Sequence, residues 1–329
     1  MSSIDFVQFF CYYITMKKQN PYPYSDTNKR YQTFEYFMRR TYGRKCAKLP
    51  VDIGCTCPNI DGTKGFGGCI YCSARGAGDF AAPSSLSVTE QLDKAAEMIK
   101  GKWGETGYIP YFQAHTNTYG DPEFLKGKYE EAAAYPGAVG ISIATRADAL
   151  DEEILEILTE LNAKTDVYVE LGLQTSSDQT AALINRCMTT EEFLKGCEAL
   201  EKTGVRRCVH IINGLPGEDE EQMIDTAKFV ASLLPDMVKI HMLYIVPGTK
   251  AARMYEDGEL PLLSREEYVS ITAKQLTYLP PQTVIGRLTG DAPLSELIAP
   301  GWTRKKVVVL NEIDKYMANN GLWQGKEFK

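Results

Sequence analysis

Cys57, Cys69 and Cys72 fall within sixteen residues and are spaced C-x11-C-x2-C. Thiolates gathered in this way are metal ligands, and the residues between them indicate what they hold. Gly62, Gly65, Gly67 and Gly68 let the backbone reach positive φ and wrap closely around a compact object. Three thiolates match three of the four irons of a cubane iron–sulfur cluster, leaving one iron open to an outside ligand; that open position is where chemistry would occur. The rival reading is structural zinc, for which C-x2-C is half a site. Zinc needs a fourth donor. Cys55 is the nearest, but a C-x-C pair on extended backbone points its sulfurs to opposite sides, so Cys55 reads better as a strand-end residue facing the core. The chain has nine cysteines, and Cys187, Cys197 and Cys208, away from the loop, read as small buried hydrophobes.

The run Cys57-Pro-Asn-Ile-Asp-Gly-Thr-Lys-Gly-Phe-Gly-Gly-Cys-Ile-Tyr-Cys72 closely resembles the YhcC/YtqA-type branch of the radical S-adenosylmethionine (SAM) superfamily, which is related to the catalytic subunit of Elongator. The resemblance extends from about Tyr31 to the C-terminus. It implies a 4Fe-4S cluster on Cys57, Cys69 and Cys72, with the amino and carboxylate groups of SAM on the fourth iron. Reduction of the cluster would then cleave SAM to methionine and a 5'-deoxyadenosyl radical that abstracts hydrogen from substrate. Tyr71, just before the last cysteine, is implied to pack near the adenine. The spacing C-x3-C-x2-C is commoner in the superfamily, so the widened loop marks the branch.

A scaffold must bring these groups to one place. Apolar runs at 48–54, 108–113, 138–144, 166–173, 207–212 and 237–245 read as strands, and 88–100, 151–161, 191–203 and 219–234 as amphipathic helices between them. Strand–helix alternation predicts parallel pairing and an α/β fold, a partial (β/α)6 TIM-like barrel, the architecture that the resemblance also implies. The expected organisation is a basic aromatic extension at 1–47, the barrel at 48–250 and a C-terminal extension at 251–329 that closes it. Active-site groups then belong at the C-terminal ends of the strands.

Those ends are polar. Strand two closes on Gln113-Ala-His-Thr-Asn-Thr-Tyr119, where many members of the family carry a glycine-rich sequence that holds the SAM amino group; Gln113, Thr116 and Asn117 stand in as hydrogen-bonding groups. Arg146, closing strand three, is positioned to pair with the SAM carboxylate or with substrate. Glu170-Leu-Gly-Leu-Gln174, with Arg186 twelve residues on, resembles the family's Gly-Leu-Gln-Ser motif, which implies that Gln174 and Arg186 contact the ribose and methionyl part of SAM. Glu170 reads either as a SAM- or proton-handling carboxylate or as a salt bridge in the barrel floor. The segment from His210 to Glu218 matches the family's Gly-Leu-Pro-Gly turn. In it Gly214 would admit the adenine, and His210 stands where related enzymes often carry an acid for the ribose. His115, His210 and His241 are the chain's three histidines. A lone strand histidine is ordinarily a satisfied core residue, whereas three at one rim point to substrate contact or proton transfer. His115, His210 and Glu170 are therefore the candidates for catalysis.

Composition is that of an ordinary globular protein, and no segment approaches the roughly 20 uninterrupted apolar residues of a membrane span. The first stretch lacks the basic leader and cleavage site of a signal peptide, so a cytoplasmic location is expected, with Met16 as the true start and 1–15 not native. Net charge is −7, yet residues 1–50 hold nine Lys/Arg against three acids. A basic arm interleaved with Tyr31, Phe34, Tyr36 and Tyr42 suits a polyanion; the alternative is a solvated face whose aromatics pack on the barrel. Trp302, Arg304, Lys305 and Lys306 could join such a surface or pack over the barrel mouth. With the resemblance, these features make tRNA the expected partner and the C5 substituent of wobble uridine the expected target, carboxymethylaminomethyl going toward aminomethyl. A flavodoxin or ferredoxin would supply electrons, and a separate methyltransferase could follow. The rivals are a radical SAM enzyme acting on a small molecule or tetrapyrrole, and a zinc-stabilised binding module without catalysis.

Overall fold

A computed structural model describes residues 20–76, 78–103 and 106–329; the proposed start at Met16 lies outside them. Seven strands form one sheet in consecutive order, all parallel: β1 (Cys46–Val51), β2 (Gly107–Phe112), β3 (Gly140–Thr145), β4 (Asp166–Gln174), β5 (Arg206–Asn213), β6 (Met237–Met242) and β7 (Val284–Arg287). The helices are α1 (Phe34–Tyr42), α2 (Val88–Trp103), α3 (Pro122–Ala133), α4 (Glu152–Asn162), α5 (Asp178–Leu183), α6 (Thr190–Glu201), α7 (Glu220–Ser232), α8 (Lys250–Glu256), α9 (Arg265–Tyr278) and α10 (Lys306–Asn319). The partial barrel read from the sequence is present. It has one more strand than the six expected, because β7 is four residues long and lies within the region taken for an extension.

The strands alternate, apart from a bulge near the end of β4, and the alternation separates two environments. In β4, Val167, Val169, Leu171 and Leu173 join the main core beneath the helices, while Tyr168, Glu170, Gly172 and Gln174 face the other way. Val209 and Ile211 of β5, and Val238 and Ile240 of β6, repeat the pattern. On the inner face the side chains stack in layers, as in full barrels. The lowest layer is apolar: Cys46, Ile109, Tyr168, Cys208, Met237 and Val284 pack around Met38 of α1.

Helix α1 is thus a plug. Thr33 caps it by accepting the Tyr36 N–H at 3.1 Å, Gly43 ends it in the left-handed region at φ +70°, and Met38 is fully buried. Burying that side chain is worth about 2 kcal/mol. The plug corrects the picture of a free arm. Tyr31 and Arg30 are buried, Phe34, Phe37 and Tyr42 pack on the barrel bottom, and Arg39 is tied to Asp26 at 2.7 Å and Glu35 at 2.6 Å. Among the described residues no helix is long and apolar enough to cross a membrane.

Candidate active site

The cysteine loop docks on the segment following α5. Ile70 N–H donates to Ile184 O at 3.1 Å, and Asn185 Nδ2 donates to Gly68 O at 2.7 Å and Phe66 O at 3.1 Å. Lys64 bridges Asp148 at 2.8 Å and Glu192 at 2.9 Å, pinning the loop to the end of β3 and the start of α6. A side chain at Gly65 would force its neighbours to shift: a Cβ would come within 2.4 Å of Asn59 Oδ1 and 2.7 Å of Cys187 Sγ. Asn59 in turn donates to Cys69 Sγ at 3.7 Å.

The donor set fits an iron–sulfur cluster. Burial raises the Cys69 thiol, against which Tyr71 and Arg146 act. Burial, then the neighbouring Cys69 and Cys57, push Cys72 up to about 12. Sulfurs that hinder one another's ionisation need a cationic group to collect them as thiolates. One zinc ion is too small for that role: at Zn–S of about 2.3 Å a tetrahedron sets sulfurs roughly 3.8 Å apart. Among the described residues the one trio of potential ligands within 4.8 Å of one another is Glu170, Cys208 and His210, not the loop cysteines. Two ammoniums already occupy Glu170, which excludes a cation there. Cys55 packs against the core near Tyr129, outside the group.

Near the loop lie buried polar atoms with no hydrogen-bond partner: Gln113 Nε2, Asn117 Oδ1 and a terminal nitrogen of Arg186, whose ion pair with Asp178 at 3.6 Å is longer than a hydrogen bond. Each costs about 1–3 kcal/mol if left unmet, and a ligand bearing ammonium, carboxylate and hydroxyl groups would meet them, as SAM does. Arg186 is otherwise fixed by its bonds to Met188 O at 2.8 Å, Thr175 O at 2.7 Å and Leu173 O, and its guanidinium lies beside Tyr71 and Cys69. Gln174 takes φ +68° at a bulge in β4, unusual for a non-glycine residue, and its amide lies over Gly172, where a Cβ would meet it at 2.7 Å. Arg146 has its donors committed to Asp148 at 2.8 Å, Arg186 O at 2.8 Å and Cys187 O at 3.0 Å. It therefore holds the segment that holds the loop. Gly214 makes a left-handed turn at φ +88° against Leu263.

A cavity of about 900 Å³ runs from Tyr71 and Cys72 down into the barrel and out between its edges; Gln113, Gln174, His210 and His241 line it. The rings of His210 and His241 are 5.2 Å apart. His115 is not among the lining residues: at φ +59° its ring turns onto Gly76, where a Cβ would come within 2.3 Å of Nδ1. The three histidines therefore do not share one rim.

Midway down the barrel, Glu170 is fully buried and meets four groups: Lys48, Lys239, Ser142 Oγ at 2.5 Å and His210 Nε2 at 2.6 Å. Although burial opposes ionisation, the two ammoniums and His210 hold its carboxyl well below the usual range. Burial, then Lys239, push His210 down to about 4. The imidazole is therefore neutral and donates its Nε2–H to the carboxylate. Lys48 and Lys239 each sit 4.6 Å over the ring of Tyr111. The sequence reading missed both lysines as site residues. The available signal was Lys239 in the middle of Met237-Val-Lys-Ile-His-Met242, on the face it shares with Met237 and His241, opposite Val238 and Ile240.

The chain belongs to the radical SAM superfamily: the superfamily profile matches residues 62–230, and the Radical_SAM C-terminal domain matches 235–319. Its cofactors are a 4Fe-4S cluster and SAM. Within the superfamily it is of the YhcC/YtqA type. It is 44% identical over 314 residues to the uncharacterized protein YtqA of Bacillus subtilis, covering 95% of this chain and 98% of that one. It is 32% identical to protein YhcC of Escherichia coli over 87% of this chain and 91% of YhcC. The solved archaeal Elp3 of Methanocaldococcus infernus, with an N-terminal deletion, shares the fold at TM-score 0.64 and 20% identity, over 85% of this chain and 64% of that one.

Proposed function

We propose that this radical SAM enzyme reworks the C5 substituent of wobble uridine in tRNA, taking a carboxymethylaminomethyl group toward aminomethyl. The observation that carries the reading is similarity to an enzyme named for that nucleoside. A tRNA uridine(34) acetyltransferase of Methanocaldococcus jannaschii is 28% identical over 187 residues, which is 56% of this chain and 34% of that protein. The cavity mouth supports it. Phe80 and Arg304 both line the cavity, and Phe80 is exposed; a flat aromatic face suits a base while a cation suits a phosphate.

When bound, the reduced cluster and SAM supply a carbon radical able to take hydrogen from an unactivated carbon. The chain's own residues position and shield. Tyr71, Gln174 and Arg186 hold SAM beside the cysteine loop, the α1 plug closes the barrel from below, and the resulting depth keeps water from the reacting carbon. His210, neutral and tied to Glu170, orients rather than protonates. Electrons come from a flavodoxin or ferredoxin, the work is cytoplasmic, and a separate methyltransferase completes the nucleoside. The test is nucleoside mass spectrometry of tRNA from a deletion strain complemented with wild type or Cys69→Ala. Accumulated carboxymethylaminomethyl uridine, cleared only by wild type, supports the reading. Identical nucleosides in all strains would refute it and favour a small-molecule substrate.

A further inference from the structure

The interior of the barrel carries more positive charge than its own acids neutralise. Lys48, Lys239, Arg287, Arg304 and Lys306 line the cavity against Asp79 and Asp291, with Glu170 behind. Asp291 is taken by Arg287 at 2.7 Å and by Lys306, and Asp79 lies by Ser73 and Cys72, in no ion pair with either barrel lysine. That leaves one carboxylate, Glu170, for both Lys48 and Lys239. Ser142 and the face of Tyr111 complete their surroundings. One ammonium charge therefore has no counter-ion, in a place where Lys239 is almost wholly buried. An unpaired buried charge costs several kcal/mol; consistent with that cost, burial pushes Lys239 down to about 8. Close by, His241 Nε2 is buried without a partner.

Depth restricts what can repay the cost. Lys48 stands three residues before the end of β1 and Lys239 three before the end of β6, roughly 10 Å along the strand below the rim. A nucleic-acid backbone cannot reach that far into the barrel, whereas a slim appendage on a base can. Two ammoniums side by side match the two oxygens of a carboxylate.

We propose that Lys48 and Lys239 bind the carboxylate of the group being modified, and that this contact selects an acid-ended appendage over a neutral one. The tRNA reading above supplies only the carrier; the need for an anion comes from the barrel itself. The test measures equilibrium binding of 5-carboxymethylaminomethyluridine and of its carboxamide to reconstituted enzyme with SAM and no reductant. Wild type should prefer the acid by about tenfold, about 1.4 kcal/mol, and Lys239→Met should bring the two within about twofold. Lys239→Met keeps Glu170 paired with Lys48, so it should fold; its melting temperature and iron content check this, Lys48→Met is the second variant, and Lys239→Arg should restore a preference. A base-free pair, N-methylglycine and N-methylglycinamide, tests the site apart from its carrier by thermal stabilisation. If only the base-free acid stabilises, and does so through the lysines, the anion site stands and the wobble reading falls. If tRNA is processed but acid and amide bind alike, or the preference survives in both methionine variants, the anion site is overturned and the wobble reading stands. If neither pair shows a ranking, the anion site is likewise overturned.

Discussion

Glu170→Gln isolates the charge that holds the barrel interior together. The amide keeps the shape and retains contacts with Ser142 and His210, but it leaves Lys48 and Lys239 with no anion between them. Breaking a buried pair by removing one partner costs about 3–5 kcal/mol, and here one removal strands two ammoniums, so the upper part of that range applies. In a domain this large that is a fall in Tm of roughly 5–10 °C. Lys239→Met, which leaves a one-to-one pair, should cost less than half as much. The pH dependence has a definite sign. Glu170 is held below the ordinary carboxylate range, so its stabilisation is full above about pH 4.5 and is lost only as pH falls through the depressed folded value. Lys239 sits at about 8 in the fold against about 10.4 unfolded. Between those values the unfolded chain binds more protons, so wild-type stability rises with pH; removing Glu170, which raises Lys239, lets the variant's Lys239 lose its proton earlier, so the Glu170→Gln penalty shrinks as pH rises toward 8. Thermal melts from pH 5 to 10 read all of this. A Glu170→Gln protein melting within about 1 °C of wild type, or one more stable than Lys239→Met, would refute the charge argument.

Cys55→Ser should retain iron and acid-labile sulfide near wild-type content, because Cys55 faces the core, whereas Cys57→Ser should lose most of both; metal and sulfide analysis after anaerobic reconstitution decides. His210 is kept neutral with its pKa at about 4 against about 6.5 unfolded, so wild-type stability should fall as pH drops from 6.5 toward 4. In His210→Gln that part of the urea-denaturation profile should flatten. Gly65→Ala drives a Cβ into Asn59 and Cys187 and should cost about 1–3 kcal/mol together with cluster retention. Gly127→Ala, in α3 with open space around it, should be neutral or gain up to about 1 kcal/mol; equal behaviour of the two variants in urea melts would count against the packing described for the loop.

Much of this was legible because inner and outer faces alternate along each strand. Glu170 was found beside the stretch that resembles the Gly-Leu-Gln-Ser motif, His210 as one of three histidines at strand ends, and the cysteine loop by its spacing and glycines. What escaped did so for physical reasons. β7 is too short for a periodic signal and takes its place by pairing with β6. Lys48 was read as the start of a strand and as part of the basic surplus, because sequence alone does not show that a strand residue three positions from the rim faces a carboxylate on β4. His115 follows a strand, but a left-handed backbone turns its ring away from the cavity. The aromatic arm had two readings, and burial of Tyr31 and Met38 shows that much of it is plug. The cysteine loop docks on the segment after α5, so Arg186, Tyr71 and Cys69 meet through folding that no local pattern records.

The most direct test of the account is reductive SAM cleavage by the anaerobically reconstituted protein. Brown protein with about four irons per chain should release methionine and 5'-deoxyadenosine in equal amounts under strong reductant, and Cys69→Ala should release neither. A cluster-loaded wild-type preparation that yields no 5'-deoxyadenosine, or a colourless protein holding one zinc per chain, would contradict it.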